Sequence, residues 1–346
     1  MSAYYSDGQV TLLLGDALDV LRTMADGSVD CIVTSPPYYG LRDYGMPGQY
    51  GLEPTPAAYV ETMRVLFTEA HRVLVGDGTL WLNIGDSYAS TTKGSGGRGK
   101  STLVGTQDAG AYFASRRVDP GLPEKNLIGI PWRVAFALQD DGWILRSEII
   151  WAKRNLMPES VKDRPTRAHE QVFLFTKQPL YWYDADAIRE ESSSAAQEAH
   201  NQRYAREYEA HTARAATTGQ PRNVNSVGIH SRPGKGGRNA RSVWTISQTP
   251  NAQAHFATFP VELPMRCVKA GCKPGGVVLD PFSGSGTTGV AARQFGRKYL
   301  GIDINPVYHD LAKKRFAQGV LDFECGRDNT VTSGGSSVTR GAVGVT

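Results

Sequence analysis

The sequence predicts an α/β protein: a mostly parallel sheet with helices on both faces. Three observations predict it. Through the first ninety residues, short apolar runs that read as strands alternate with stretches of helical spacing. A second unit of the same kind runs from Val261 to Gln318. Inside that unit a glycine-rich turn joins a strand to a helix, the usual joint of an open α/β sheet.

The elements follow in order. Val10 to Leu14 is a short apolar strand and Ala17 to Met24 has helical spacing. Val29 to Thr34 is a second strand, stopped by Pro36-Pro37, which can neither continue a ladder nor enter a helix interior. From Tyr59 to Val75, Val60, Met63, Leu66, Phe67, Ala70 and Leu74 form the stripe of an amphipathic helix. Gly76-Asp77-Gly78 is expected to turn the chain into a strand from Thr79 to Ile84. Pro131 to Gln139 reads as a helix, and Trp143 to Trp151 and Gln171 to Thr176 as strands. Two polar stretches interrupt this pattern. Residues 90–110 form a Gly/Ser-rich basic loop, and Asp184 to about Asn239 begins as a polar helix (Ile188 to Ala216) and ends as Gly/Pro/Arg-rich loop. The tail from Arg327 lacks bulky side chains for a core and is expected to be disordered. The resulting division is 1–184, with the basic loop inside it, an inserted region 185–245, a second half 246–326, and the tail 327–346.

The chain has 346 residues, 40% of them hydrophobic and 21% charged, an ordinary globular balance. No apolar run approaches the roughly 20 residues that span a bilayer, and the start lacks the basic-then-apolar pattern of a secretory signal. The expected location is therefore a bacterial cytoplasm, whether the gene is cellular or viral. Cys31, Cys267, Cys272 and Cys325 are too scattered for a metal site or a disulfide framework, so reduced thiols and no metal are expected. Net charge is only +4, but its distribution is informative: between Asn201 and Arg241, eight basic residues face Glu207 and Glu209 alone. Such an excess suits a polyanion, whose condensed counterions are released on binding, or a solvated basic loop.

Val277 to Asp280 is a strand, followed by the turn Pro281 to Gly289, a helix through Phe295, and a strand Tyr299 to Ile302 that ends in Asp303. Glycines permit the turn and let a ligand approach the backbone, and the helix start offers free N–H groups. An acid at the end of the second strand suits two ribose hydroxyls. Gly284-x-Gly286-x-x-Gly289 formally fits a dinucleotide fingerprint, but no Gly-Lys-Ser/Thr follows, so it is not a P-loop. Asp280 is placed to pair with a ligand ammonium, and Phe282 would crowd a pyrophosphate yet pack on a methionine chain. Both favour S-adenosyl-L-methionine over NAD.

Thr34-Ser35-Pro36-Pro37-Tyr38 ends the strand from Val29. An aromatic amine is a poor nucleophile because its lone pair is delocalised into the ring. A hydroxyl and a backbone carbonyl can accept its two hydrogens and aim the lone pair, and an aromatic ring can hold an extruded base. Ser35, the Pro36 carbonyl and Tyr38 supply these three functions; alone, the segment is also a plain strand-ending proline turn.

Ser35-Pro36-Pro37-Tyr38 together with Asp280-Pro281-Phe282-Ser283-Gly284-Ser285-Gly286-Thr287-Thr288 resembles the amino-methyltransferases of DNA, and their order resembles the permuted beta group of that family. Leu14 to Leu18 is similar to the segment whose acid, here Asp16, lies near the cofactor adenine. His255 to Pro260 resembles the segment packing against the methionine end, and Arg164 to Glu170 also fits. The resemblance covers roughly Val10 to Phe316 apart from the two polar stretches. It implies the class I methyltransferase fold, with a seven-stranded sheet, and S-adenosyl-L-methionine as cofactor. It implies catalytic roles for Ser35, Pro36, Pro37 and Tyr38, and a cofactor pocket of Asp16, Thr34, Phe256, Thr258, Asp280, Phe282, Gly284, Gly286, Thr287 and Asp303. No Pro-Cys pair exists for the covalent route to a ring carbon.

In that family a serine before Pro-Pro-Tyr goes mostly with cytosine N4, and Asp or Asn mostly with adenine N6, so cytosine N4 is expected and adenine N6 is the alternative. Double-stranded DNA is the expected partner. Its contacts are expected from Arg42 in the stretch Tyr39 to Tyr50, from Lys93, Arg98 and Lys100, and from Arg232, Lys235, Arg238 and Arg241 of the insertion, whose counterpart in the family reads the target. Other sites are ambiguous: Trp151 to Arg154 is core or DNA face, and His169-Glu170 is expected to be an ion pair at a helix start rather than part of a site. An NAD-dependent oxidoreductase would leave Ser35–Tyr38 unexplained. A catalytically silent DNA-binding protein would not need Ser35, Tyr38, Asp280 and Gly284 intact. An RNA or protein amine as substrate, the oligomeric state and a companion restriction endonuclease are left open by the residues.

Overall fold

The computed structural model describes residues 3–89, 121–156, 159–191, 199, 237–247 and 259–317. In chain order the strands are β1 (Tyr5–Ser6), β2 (Val10–Leu14), β3 (Val29–Thr34), β4 (Leu74–Ile84), β5 (Ile144–Lys153), β6 (His169–Thr176), β7 (Val243–Ile246), β8 (Val277–Asp280) and β9 (Lys298–Asp303). The helices are α1 (Ala17–Thr23), α2 (Pro56–Val73), α3 (Ile130–Asp140), α4 (Glu262–Gly271), α5 (Thr287–Gln294) and α6 (Pro306–Ala317).

Among the described residues all strands join one sheet in the order β1-β2-β9-β8-β3-β4-β6-β5-β7. It has nine strands rather than the seven expected. The additions are at the two edges: the two-residue β1, antiparallel to β2, and β7, parallel to β5. Only β1 and β6 run against their neighbours; the other pairings are parallel. Helices cover both faces and each face closes its own core. One packs α1, α2 and α3 through Val20, Leu21, Met63, Phe67, Val134 and Leu138. The other packs α4, α5 and α6 through Cys267, Val268, Ala292, Ala312 and Phe316. Cys31, Cys267 and Cys272 are free and buried in the second core.

The caps explain the helix starts. Asp16 caps α1 by accepting from the N–H groups of Leu18 and Asp19. Thr55 caps α2 ahead of Pro56, so this helix starts three residues before the expected start at Tyr59. The α3 start is capped from afar, by Asp86 after β4, which accepts from the N–H groups of Gly129 and Ile130 at 3.0 Å.

Gly76-Asp77-Gly78 is not a turn. Leu74 pairs with Val29 and Thr79 with Cys31, so these residues form an irregularity inside one long β4. Of the expected polar helix from Ile188, only its first residue closes a 3-10 turn (Asp186–Ile188); nearly all the rest, the basic loop 90–110 and the tail from Arg327 lie outside the described residues. The expected boundary at 245 falls inside β7, which extends the sheet past β5.

The fold places the site by topology. From β8, the chain goes through α5 to β9 on one side, while β3 lies on the other side of β8. Chain ends leaving β3 and β8 in opposite directions open a crevice beyond their carboxyl ends, the standard ligand position in such sheets. Ser35-Pro36-Pro37-Tyr38 follows β3 and Pro281-to-Gly286 follows β8, so both motifs enter that crevice.

Candidate active site

One cavity reaches both motifs. Ser35, Pro36, Pro37 and Tyr38 line it together with Asp280, Pro281, Phe282, Ser283, Gly284 and Asp303. Residues separated by almost 250 positions in sequence therefore face one space.

At the glycine-loop end stand two acids, Asp280 buried and Asp303 half-buried. Asp280 accepts from Thr34 Oγ1 and Thr288 Oγ1, each at 2.7 Å, and from the Phe282 N–H at 3.1 Å. Asp303 accepts from the Gly284 N–H and the Asn305 N–H, both at 2.8 Å. Burial pushes both carboxyls up to about 6, against the bonds they accept. A carboxylate offers about four acceptor positions, so each acid keeps capacity for a ligand donor. Phe282 meets Tyr50 edge-on at 5.3 Å between ring centroids, and both rings line the cavity. A buried and a half-buried acid beside an aromatic wall fit a ligand carrying an ammonium and a ribose diol, as S-adenosyl-L-methionine does. Asp280 would hold the ammonium and Asp303 the ribose.

The loop's glycines differ in task. Gly284 has φ +50° and a Cβ there would have open space around it apart from its own loop, so its backbone lies bare at the cavity. Gly286 does not line the cavity. A Cβ on it would stand 2.7 Å from Phe316 Cζ and 2.9 Å from Ala312 Cβ, so this glycine lets α5 and α6 close together. Asp16 and Thr34 are also outside the lining. Asp16 caps α1 and accepts from Tyr50 Oη at 3.2 Å, while its neighbours Gly15 and Ala17 face the cavity. Thr34 is buried and acts through Asp280. Thr287 lines the cavity; Phe256 and Thr258 lie outside the described residues, and Phe259, just after them, lines it.

At the Ser35 end, the polar groups converge from three further strands. Ser35 Oγ donates to Tyr38 Oη at 3.3 Å. Tyr38 Oη is 2.7 Å from Glu170 Oε2 and 3.2 Å from Asn83 Oδ1. Asn83 Nδ2 donates to the same Glu170 oxygen at 3.2 Å and to the Gln171 carbonyl at 3.1 Å. Lys153 Nζ pairs with the other oxygen of Glu170. Burial, and then the Glu170 carboxylate, push the Tyr38 phenol well above its ordinary value, so it stays a neutral donor. The Tyr38 ring lies so close to Gly85 that a side chain there would overlap it.

Glu170 is thus no partner of His169 at a helix start. It sits near the beginning of β6, and the pleat turns it toward the cavity. Trp151 is buried, with Nε1 donating to the Ile246 carbonyl at 3.1 Å, and it lines the cavity together with Lys153, two residues on along the same strand. Of the three residues gathered behind Tyr38, sequence reasoning missed Asn83, left Lys153 between core and DNA face, and set Glu170 aside as an ion pair. The two-residue alternation of Trp151 and Lys153 along β5 was the one available signal.

Of the basic residues expected to meet DNA, Arg42 lines the cavity, with Leu41 beside it about half exposed. Arg238 and Arg241 both pair with Glu190, at 3.0 and 2.8 Å, and Arg241 stays largely exposed. Lys93, Arg98, Lys100, Arg232 and Lys235 lie outside the described residues.

A family model described as DNA methylase, of the N6/N4 methyltransferase type, matches residues 29–314. The chain belongs to this family of DNA methylases. It is 48% identical over 305 residues to the type II methyltransferase M.Cfr9I of Citrobacter freundii, covering 88% of this chain and 87% of that protein. The type II methyltransferase M.SmaI of Serratia marcescens is 42% identical, with 88% and 89% covered. Among solved structures, the PvuII DNA methyltransferase (cytosine-N4-specific) shares the fold with a TM-score of 0.60 at 19% identity, covering 91% of this chain and 88% of that one. The Thermus thermophilus protein TTHA0409, complexed with S-adenosyl-L-methionine, has a TM-score of 0.53 at 24% identity, with 90% and 95% covered. As a DNA methylase, the chain is an S-adenosyl-L-methionine-dependent enzyme of the class I fold, acting on DNA within the type II modification group. Membership removes the oxidoreductase reading. Among the described residues no helix is long and apolar enough to cross a membrane.

Proposed function

We propose that this DNA methylase transfers its methyl group to N4 of a cytosine extruded from double-stranded DNA into the cavity between Ser35 and the glycine loop. The observation that carries this reading is the shared cavity: the Ser35–Tyr38 turn and the two acids Asp280 and Asp303 line one space. Bound at Asp280 and Asp303, S-adenosyl-L-methionine supplies an electrophilic methyl group. The protein's own residues do the rest. Ser35 Oγ and the Pro36 carbonyl accept the two amino hydrogens and turn the nitrogen lone pair toward the methyl group. The Tyr38 ring bounds the base site, and its hydroxyl is held from behind by Glu170 and Asn83. Phe282, Tyr50 and Trp151 give the cavity aromatic walls around the reacting centre.

Serine at the head of the turn supports cytosine over adenine, because a neutral hydroxyl at this place goes with N4 chemistry in the family resemblance. Arg42 at the cavity and the basic insertion residues support contact with phosphates around the extruded base. The test is nucleoside mass spectrometry of DNA incubated with the protein and isotope-labelled S-adenosyl-L-methionine. Labelled N4-methylcytosine is expected; labelled N6-methyladenine would reassign the base, and labelled RNA in place of DNA would overturn the proposal.

A further inference from the structure

Methylation of an amine leaves its nitrogen with one proton too many, and the cavity must dispose of it. Three carboxylates line the cavity among the described residues: Asp280, Asp303 and Glu170. The two aspartates hold the glycine loop and its flanking hydroxyls, at the end where the methyl donor binds. Glu170 alone is connected to the amine-orienting turn.

The connection is continuous and polarised. Ser35 Oγ donates to Tyr38 Oη at 3.3 Å, and Tyr38 Oη donates onward to Glu170 Oε2 at 2.7 Å. With its hydrogen pointing at Tyr38, Ser35 keeps its lone pairs free for an incoming N–H. Asn83, from β4, and Lys153, from β5, fix the carboxylate from two other directions. The titratable groups facing Glu170 among the described residues are Lys153 and Tyr38; β4 contributes only the neutral amide of Asn83. Glu170 keeps 15% of its side-chain surface exposed, enough to return a proton to solvent between turnovers.

We propose that Glu170 is the proton acceptor of the site, drawing the amine proton through Ser35 and Tyr38. The inference rests on the amino-methyltransferase reading above and adds a residue outside the Ser-Pro-Pro-Tyr segment. The balance closes within the chain's own groups. The nitrogen gains a bond to the methyl carbon as that carbon's bond to sulfur breaks, the electron pair staying on sulfur. One N–H bond then breaks, leaving its electrons on nitrogen, and the proton passes to Ser35 Oγ. The serine proton passes to Tyr38 Oη and the tyrosine proton to Glu170 Oε2. Ser35 and Tyr38 end neutral, as they began, and Glu170 ends protonated. Neither hydroxyl has to ionise, which suits the buried, raised phenol of Tyr38.

Glu170→Gln separates this role from mere support, since a glutamine carbonyl still accepts from Tyr38 but cannot take up a proton. Single-turnover methylation of DNA is measured against pH for the wild type, Glu170→Gln, Tyr38→Phe and the double variant. Melting temperature and S-adenosyl-L-methionine affinity are measured beside it. The expected loss in Glu170→Gln is about 10²-fold or more, with cofactor affinity unchanged and, at S-adenosyl-L-methionine concentrations that saturate both proteins at every pH, the acid limb of the wild-type rate profile gone. Tyr38→Phe breaks the same relay, so the double variant is expected to lose little more than either single one. A Glu170→Gln rate within about threefold of wild type, far short of a general-base loss, would overturn the proposal. Fully additive losses would overturn it too. If Glu170→Gln does not fold, a Tyr38→Phe protein that keeps the wild-type rate and acid limb overturns it equally. A wild-type protein that labels no amino group of DNA would instead overturn the underlying reading, a result distinguishable before any variant is made.

Discussion

The two ends of the cavity are built on opposite plans. The glycine-loop end is local: Asp280, the turn and Asp303 lie within 24 consecutive residues, and backbone N–H groups and threonine hydroxyls hold its acids. Burial holds its acids well above their ordinary carboxylate values, as expected of groups proposed to take a positive or donating ligand. The Ser35 end is assembled from four strands, and its hydroxyls are neutral while the charges stand one residue behind them, on Glu170 and Lys153. In the proposed reading one end binds the methyl donor and the other orients the amine. The division of labour is therefore testable by damaging each end separately.

The largest expected effect is at the orienting end. Ser35→Ala removes the acceptor of an amino hydrogen, and the methylation rate is expected to fall about 10³-fold, read from labelled methyl transfer to DNA. A rate near wild type would remove Ser35 from the chemistry.

At the binding end, Asp280→Asn is expected to weaken S-adenosyl-L-methionine binding by roughly 10- to 100-fold, the scale of one hydrogen bond to a charged group. It also tests the pH dependence. The Asp280 carboxyl is at about 6 in the folded protein against a reference of 3.8, so the folded state holds more protons between these values. Its contribution to stability is therefore greatest in acid and is lost as pH rises from about 4 to about 6, remaining low above that. Ligand-free Asp280→Asn is accordingly expected to gain melting temperature relative to wild type at pH 7 but not at pH 4, while cofactor affinity of the wild type weakens below about 6. An equal difference at both pH values would show that burial does not strain this acid.

The smallest effect separates two glycines of one loop. Gly286→Ala meets Phe316 and a φ of +76°, so it is expected to cost about 1–3 kcal/mol of stability in thermal denaturation while folded protein keeps its cofactor affinity. Lost affinity without lost stability would place Gly286 in the binding surface after all.

The same contrast explains what the sequence disclosed. The strand–turn–helix around Asp280 and the proline stop after Thr34 are local, and turn chemistry announces them in the residue string. The alternation of strands and helices also announced the sheet and its covered faces. Glu170, Lys153 and Asn83 gave no such signal, because their meeting depends on the β4-β6-β5 pairing and its register, which are long-range facts. The Gly76–Gly78 segment misled for a related reason: a glycine pair signals either a turn or a strand irregularity, and only pairing with β3 decides. The edge strands β1 and β7 are too short, at two and four residues, to show a periodicity.

Binding and amine orientation are assigned to different ends of one cavity. The most direct test of this assignment is a calorimetric titration of S-adenosyl-L-methionine into folded Ser35→Ala protein. Wild-type affinity is expected in a protein that no longer transfers the methyl group. Affinity lost together with transfer would contradict it, because Ser35 would then belong to the binding end as well.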